Sequence, residues 1–189
     1  MKKIEETIVQ TCIKIARRGE GALIVLGNHI KYKSLVKQKI PAFNIVKNAK
    51  LLEVLAIMDG AVIIDNKGFL KAYGVMIETN KVLKGFGTRH VAAVSAAKDN
   101  NLVYLVSEED RKIKVFRKGR IVMQIDPFEK NIEKNLSTTN EWLESLGAGA
   151  IGSIGATAIV PTLGITLVPG IILFGSAWYL SKMITKRFG

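Results

Sequence analysis

The chain has 189 residues with a net charge of +12, room for one domain and an appendage but not for two full domains. That charge attracts polyphosphates, nucleic acid or anionic lipid alike. The lysines are scattered, however, with no basic stripe interleaved with aromatic residues, which argues against specific nucleic-acid binding. The single cysteine, Cys12, excludes an internal disulfide, and two histidines without cysteine companions give no basis for a structural zinc site.

The N-terminus carries acidic residues and no long apolar core, which argues against a signal peptide. Ile4, Ile8, Cys12 and Ile15 recur at three- and four-residue spacing, predicting an amphipathic helix over 3–18 that Gly19 stops. The run 21–26 (GALIVL) predicts a buried strand with a turn-rich exit at Gly27-Asn28. Residues 29–41, with Lys31, Lys33, Lys37 and Lys39, read as a basic loop or short helix, and His29 as a surface residue. A second helix is expected over 44–57 with Asn44 as its cap, then a strand within 58–65, a turn at 66–68 and a returning strand over 69–77. An alanine-rich helix follows Gly87 and runs to about Ala97. Strands over 102–106, 112–117 and 120–125 come next, the last two joined at Lys118-Gly119, and 127–146 read as helical. Helices mixed with hairpin strands predict an α/β domain over 1–140, a mixed central β-sheet flanked by helices.

The remainder, 141–189, reads as an apolar glycine-rich helical segment. No charged residue lies between Ser145 and Ser181, and a span needs about 20 apolar residues. Pro161 and Pro169 divide it, which suits a helical hairpin or one span preceded by an interfacial helix. Gly147, Gly149, Gly152, Gly155 and Gly175 permit close helix contacts. Trp178 and Tyr179, just before Lys182, fit an interfacial belt, and Lys186 and Arg187 a cytosolic side. The expectation is a lipid partner and a cell-membrane location with the front domain facing the cytoplasm. The alternative is a buried hairpin or an oligomer-forming segment.

Three clusters carry candidate chemistry. Asp59-Gly60-Ala61 sets a carboxylate beside an open backbone at a strand entrance, where Mg²⁺ or Mn²⁺ with a polyphosphate would be met; alternatively it is only a turn. Gly85-Phe86-Gly87-Thr88-Arg89-His90 combines glycines for close approach, Thr88 as a helix cap, and a guanidinium and imidazole at a helix N-terminus, an anion-binding arrangement. Its bland counterpart is an ordinary cap with a solvated arginine. Ser107-Glu108-Glu109-Asp110 closes a strand with three acidic residues: a solvated turn, or a second carboxylate brought towards Asp59.

In this order, DGA at 59–61, the intervening AYGVMI at 72–77, GTRH followed by AA at 87–93 and SEE at 107–109 resemble the diadenylate cyclase catalytic domain, the DisA N-terminal or DAC domain. The resemblance covers about 20–125. It implies ATP as substrate, Mg²⁺ or Mn²⁺ as cofactor, and a homodimer or higher homo-oligomer with active sites face to face. It implies Asp59, Arg89 and His90 as catalytic residues. Gly60, Ala61, Gly74, Met76, Ile77, Gly87, Thr88 and Ser107 would line the nucleotide site, and Asp59, His90 and Glu108 would hold metal. The implied activity joins two ATP into cyclic di-AMP and two pyrophosphates. The family usually reads Arg-His-Arg where this chain has Arg89-His90-Val91, which removes a bidentate phosphate contact. A neighbouring lysine such as Lys84 would substitute, or turnover is weakened, or the domain only binds nucleotide. The rival expectations are therefore an inactive nucleotide sensor and a membrane scaffold.

Overall fold

Five- and six-residue apolar runs with no polar alternation need cover on both faces, and the chain supplies it with helices on each side of one sheet. A computed structural model describes residues 2–79, 87–133 and 171–173. Its elements in order are α1 (Lys2–Arg17), β1 (Ala22–Leu26), β2 (Tyr32–Ser34), α2 (Ala49–Ala56), β3 (Ala61–Ile64), β4 (Leu70–Ile77), α3 (Thr88–Ala96), β5 (Leu102–Val106), β6 (Ile113–Arg117), β7 (Arg120–Ile125) and β8 (Ile171–Leu173).

The strands form one eight-stranded sheet in the order β2-β4-β3-β1-β5-β6-β7-β8. β1 and β3 run parallel, and the other neighbours are antiparallel. Ala22, Ile24 and Leu26 pack with Ile8, Cys12 and Ile15 of α1 and Leu52 and Leu55 of α2. Leu23 and Val25, one pleat away, pack with Ala93 and Ala96 of α3 on the other face. Fully burying each of the valine, leucine and isoleucine side chains among them is worth about 1.5–3 kcal/mol. The two half-cores thus fix the register of β1 and the seat of all three helices. Burial pushes the Cys12 thiol pKa upward, in keeping with a packing role.

Three local expectations change. Residues 44–48 are not helical: Asn44 bridges to Phe69 and its Oδ1 accepts the Val46 N–H at 3.0 Å, so α2 starts later, after Asn48. An asparagine that satisfies its own turn competes with the helix it was expected to cap. In the basic 29–41 stretch, a short exposed strand, β2, pairs with the end of β4. Residues 127–131 are turns and not the start of a helix.

The apolar C-terminal helical segment is also corrected. In the middle of the stretch read as a span, Ile171–Leu173 form a strand paired antiparallel with Met123–Ile125 of β7. A short β-branched run after Pro169-Gly170 supplies the partner that the outer edge of β7 needs. Among the described residues no helix is long and apolar enough to cross a membrane. The expected lipid partner, the cell-membrane location and the membrane-scaffold role lose their basis here. Residues 134–170 and 174–189, with the tail glycines and Trp178, Tyr179, Lys182, Lys186 and Arg187, lie outside the described residues.

Candidate active site

The parallel pairing of β1 with β3, and the antiparallel pairing of β1 with β5 and of β3 with β4, bring four strand ends together. The starts of β1 and β3 lie beside the finishes of β4 and β5, on the face covered by α3. Between them opens a cavity of about 1010 Å³. Its walls include Asp59, Gly60 and Ala61 before and within β3, and Val75, Met76 and Ile77 of β4. Gly87, Thr88, Arg89 and His90 contribute from the start of α3, and Ser107, Glu108 and Glu109 from beyond β5. Three clusters separated in sequence meet at one depression.

Asp59 is exposed on the rim, and its Oδ1 accepts the Gly60 N–H at 3.0 Å. Gly60 has φ +92°, and a Cβ there would lie 2.7 Å from the Val75 nitrogen, so only glycine fits where β3 and β4 crowd. That crowding coincides with the irregular register between Ala61 and Ile63. The wall on the β4 side is apolar, with Met76 52% exposed and Ile77 buried.

Gly87, and not Thr88, takes the N-cap position of α3; no side chain caps the helix, and Thr88 is its first helical residue. The uncapped N-terminus therefore faces the cavity with its partial positive charge. From the same turn the Arg89 guanidinium donates to Glu108 Oε1 at 2.5 Å. That hydrogen bond, with the arginine's charge, holds the Glu108 pKa below the ordinary carboxylate range. His90 lies with its Nε2 3.3 Å from the Lys114 ammonium. Burial first, and then Lys114, lower its pKa, which favours the neutral imidazole.

Of the residues expected to line a nucleotide site, Gly60, Ala61, Met76, Ile77, Gly87, Thr88 and Ser107 border the cavity, as do Asp59, Arg89, His90 and Glu108. Gly74 does not: with φ +54° it backs the wall against Val36. Gly85, Phe86 and Lys84 lie outside the described residues. The expected metal set is corrected. Among the described residues no three His, Cys, Asp or Glu side chains gather to hold an ion: Glu108 is taken by Arg89 and His90 faces a lysine. His29 is exposed, away from this cavity.

Several lining residues carried no sequence signal. Leu23 and Leu105 sit in runs apolar at every position, so the pleat face turned to the cavity could not be read. Gly21 was read only as the start of a strand. A Cβ on it would meet Glu108 Oε1 at 2.6 Å and would also strike Arg89 Nη1, so its bare backbone is what lets that pair lie across β1.

Residues 9–121 match the family model described as DAC, DisA bacterial checkpoint controller nucleotide-binding. The diadenylate cyclase of Methanocaldococcus jannaschii is 29% identical over 143 residues, 67% of this chain and 46% of that protein. The diadenylate cyclase of Haloferax volcanii is 26% identical over 139 residues, 64% of this chain and 51% of that one. The chain thus spans about half the length of these curated relatives. Among solved structures, a double mutant of DacA from Staphylococcus aureus is 25% identical, with a TM-score of 0.49 over 80% of this chain and 97% of the other.

Proposed function

We propose, from the premise that this chain belongs to the DisA nucleotide-binding (DAC) family, as its match over 9–121 establishes, that it condenses two ATP into cyclic di-AMP and two pyrophosphates. The single observation that carries the reading is the convergence of Asp59, Thr88–His90 and Ser107–Glu108 on one cavity. The reaction needs a group beside a ribose hydroxyl, cationic and N–H donors around a triphosphate, and an apolar wall for a base. Those three kinds of surface meet there.

The 3′-hydroxyl of each ATP attacks the α-phosphorus of the other, and pyrophosphate leaves. Asp59, exposed at the rim, orients that hydroxyl and takes up its proton. Arg89 and the N-terminus of α3 bind the charge that grows on the departing pyrophosphate, with His90 as a neutral neighbour. Glu108 fixes the Arg89 fork, and Met76 and Ile77 give adenine its apolar face. The product joins two nucleotides and each cavity offers one Asp59, so two chains bring their cavities face to face. This chemistry is assigned to residues 1–140.

Asp59 is the residue that would hold a Mg²⁺ or Mn²⁺ ion brought by the ATP phosphates. Such ions commonly take one or two carboxylates beside substrate oxygens, so Asp59 alone fits that demand without a protein-only cage. When bound, the ion withdraws charge from the phosphoryl group in transfer.

Val91, buried in α3, gives no donor where the family usually has arginine. That observation favours one other reading, a sensor that binds nucleotide without turnover. Incubating the purified full chain with ATP and Mn²⁺, followed by chromatography, separates the two. Cyclic di-AMP is expected from the wild type, and Asp59→Asn is expected to lower its formation at least about a hundredfold with unchanged circular dichroism. Tight ATP binding with no product would mean the sensor, and synthesis unaffected by Asp59→Asn would overturn the assigned carboxylate.

A further inference from the structure

Behind the cavity a second polar chain ties the β5–β6 turn to the first turn of α3. Ser107 is buried and its N–H donates to the Lys112 carbonyl at 3.1 Å, while the Asp110 Oδ1 accepts the Lys112 N–H at 3.2 Å. The Asp110 Oδ2 holds the Lys114 ammonium at 2.7 Å. The Lys114 side chain is only 14% exposed, and its Nζ lies 3.3 Å from His90 Nε2. Every link but the last is fixed within one turn and the strand that follows it.

An ammonium has three donors and no acceptor. A hydrogen bond from Lys114 therefore requires an unprotonated Nε2, which leaves the imidazole proton on Nδ1. We propose that Lys114, anchored by Asp110, is a positioning residue that locks His90 in the Nδ1–H tautomer and fixes its ring at the edge of the nucleotide cavity. His90 then serves the site as an oriented neutral imidazole, and its Nε2 is not available as a proton acceptor from substrate. The tautomer of a histidine is commonly set by the bond its other nitrogen makes. Here the setting comes from a lysine, so that the cation approaching Nε2 also excludes a second cation from that atom. The consequence for turnover rests on the cyclase reading above.

The chain has only two histidines, so His29→Gln assigns the imidazole signals of the full chain without ambiguity. Long-range proton–nitrogen NMR on ¹⁵N-histidine-labelled protein should give His90 the shifts of an Nδ1–H tautomer. Lys114→Met, which keeps the length and loses the donors, should move it to a mixture or to Nε2–H. Lys114→Arg should retain the wild-type pattern. In the product assay, Lys114→Met should lower kcat about tenfold, the order expected for a residue that orients another, and Lys114→Arg should recover most of it. A wild-type His90 carrying its proton on Nε2 overturns the proposal directly, whatever the variants do. So does a Lys114→Met protein with unchanged tautomer and kcat. If no cyclic di-AMP forms at all, the cyclase reading fails, and the tautomer spectra alone decide the role of Lys114.

Discussion

Gly21 and the pair it shelters show how one absent side chain shapes this site. The Arg89–Glu108 bridge lies against the backbone at Gly21, whose N–H also contributes to holding the Glu108 charge. In Gly21→Ala the atoms nearest the new methyl would be Arg89 Nη1 and the Oε1 and Cγ of Glu108, all on flexible side chains, so the pair swings aside and the fold holds. Stability should change by less than about 1 kcal/mol, the range of substitutions outside the core. ATP affinity should fall severalfold, which calorimetric titration would read; unchanged affinity would separate the bridge from the site. The bridge also sets a pH dependence. Because the folded Glu108 pKa is depressed, its stabilisation is present above the unfolded carboxylate value of about 4.3 and is lost as pH falls through the lower folded value. Both partners are more than a third exposed, so the term is small. Urea midpoints of wild type and Glu108→Gln should differ slightly at pH 7 and converge as the pH falls through the lowered carboxylate value. A gap that widens in acid would reverse the sign. The charged members of the site were legible from the sequence, since Asp59, Arg89 and Glu108 interrupt apolar runs. Gly21 and Lys114 were not: their importance lies in contacts with α3 residues far away in the chain, which local spacing does not encode.

Each element reaches the site by one end only, and the strand entrances are where the tolerance is least. Gly60 opens β3 with φ +92°, and a Cβ there would press on the Val75 nitrogen, the Val75 oxygen and the Gly74 carbonyl carbon, all backbone atoms within 2.9 Å. Unlike the atoms near Gly21, none of these can rotate away. Gly60→Ala should therefore cost about 1–3 kcal/mol in backbone strain alone and distort the β3–β4 register that sets Asp59 on the rim. A drop in melting temperature together with lost product is the expected result, and a variant of native stability would contradict the crowding. Element boundaries divide in the same physical way. α1, β1 and β5 were readable because amphipathic spacing or an unbroken apolar run defines them. The start of α2 was not, because Asn44 serves a turn and a bridge to Phe69 where it was expected to cap. Hydropathy alone likewise does not distinguish an apolar strand that completes a sheet edge from part of a helix, as Ile171–Leu173 demonstrate.

For the molecule as a whole, the mixed sheet places α1 and α2 on one face as structural cover. The other face keeps a cavity that α3 borders with its positive end. The order of the strands, with β1 between β3 and β5, is what joins the 59–61 and 107–109 segments. Sequence order suggested that these clusters belong together, and pairing across the sheet supplies the physical means. The proposed reaction is a specific bond exchange, attack on the α-phosphorus with loss of pyrophosphate. The most direct measurement follows the label when the full chain acts, with Mn²⁺, on ATP labelled at the α- or at the γ-phosphorus. The account predicts that all consumed α-label enters cyclic di-AMP and all consumed γ-label leaves as pyrophosphate, two per cyclic product. Recovery of the γ-label as inorganic phosphate with the α-label in ADP would contradict it.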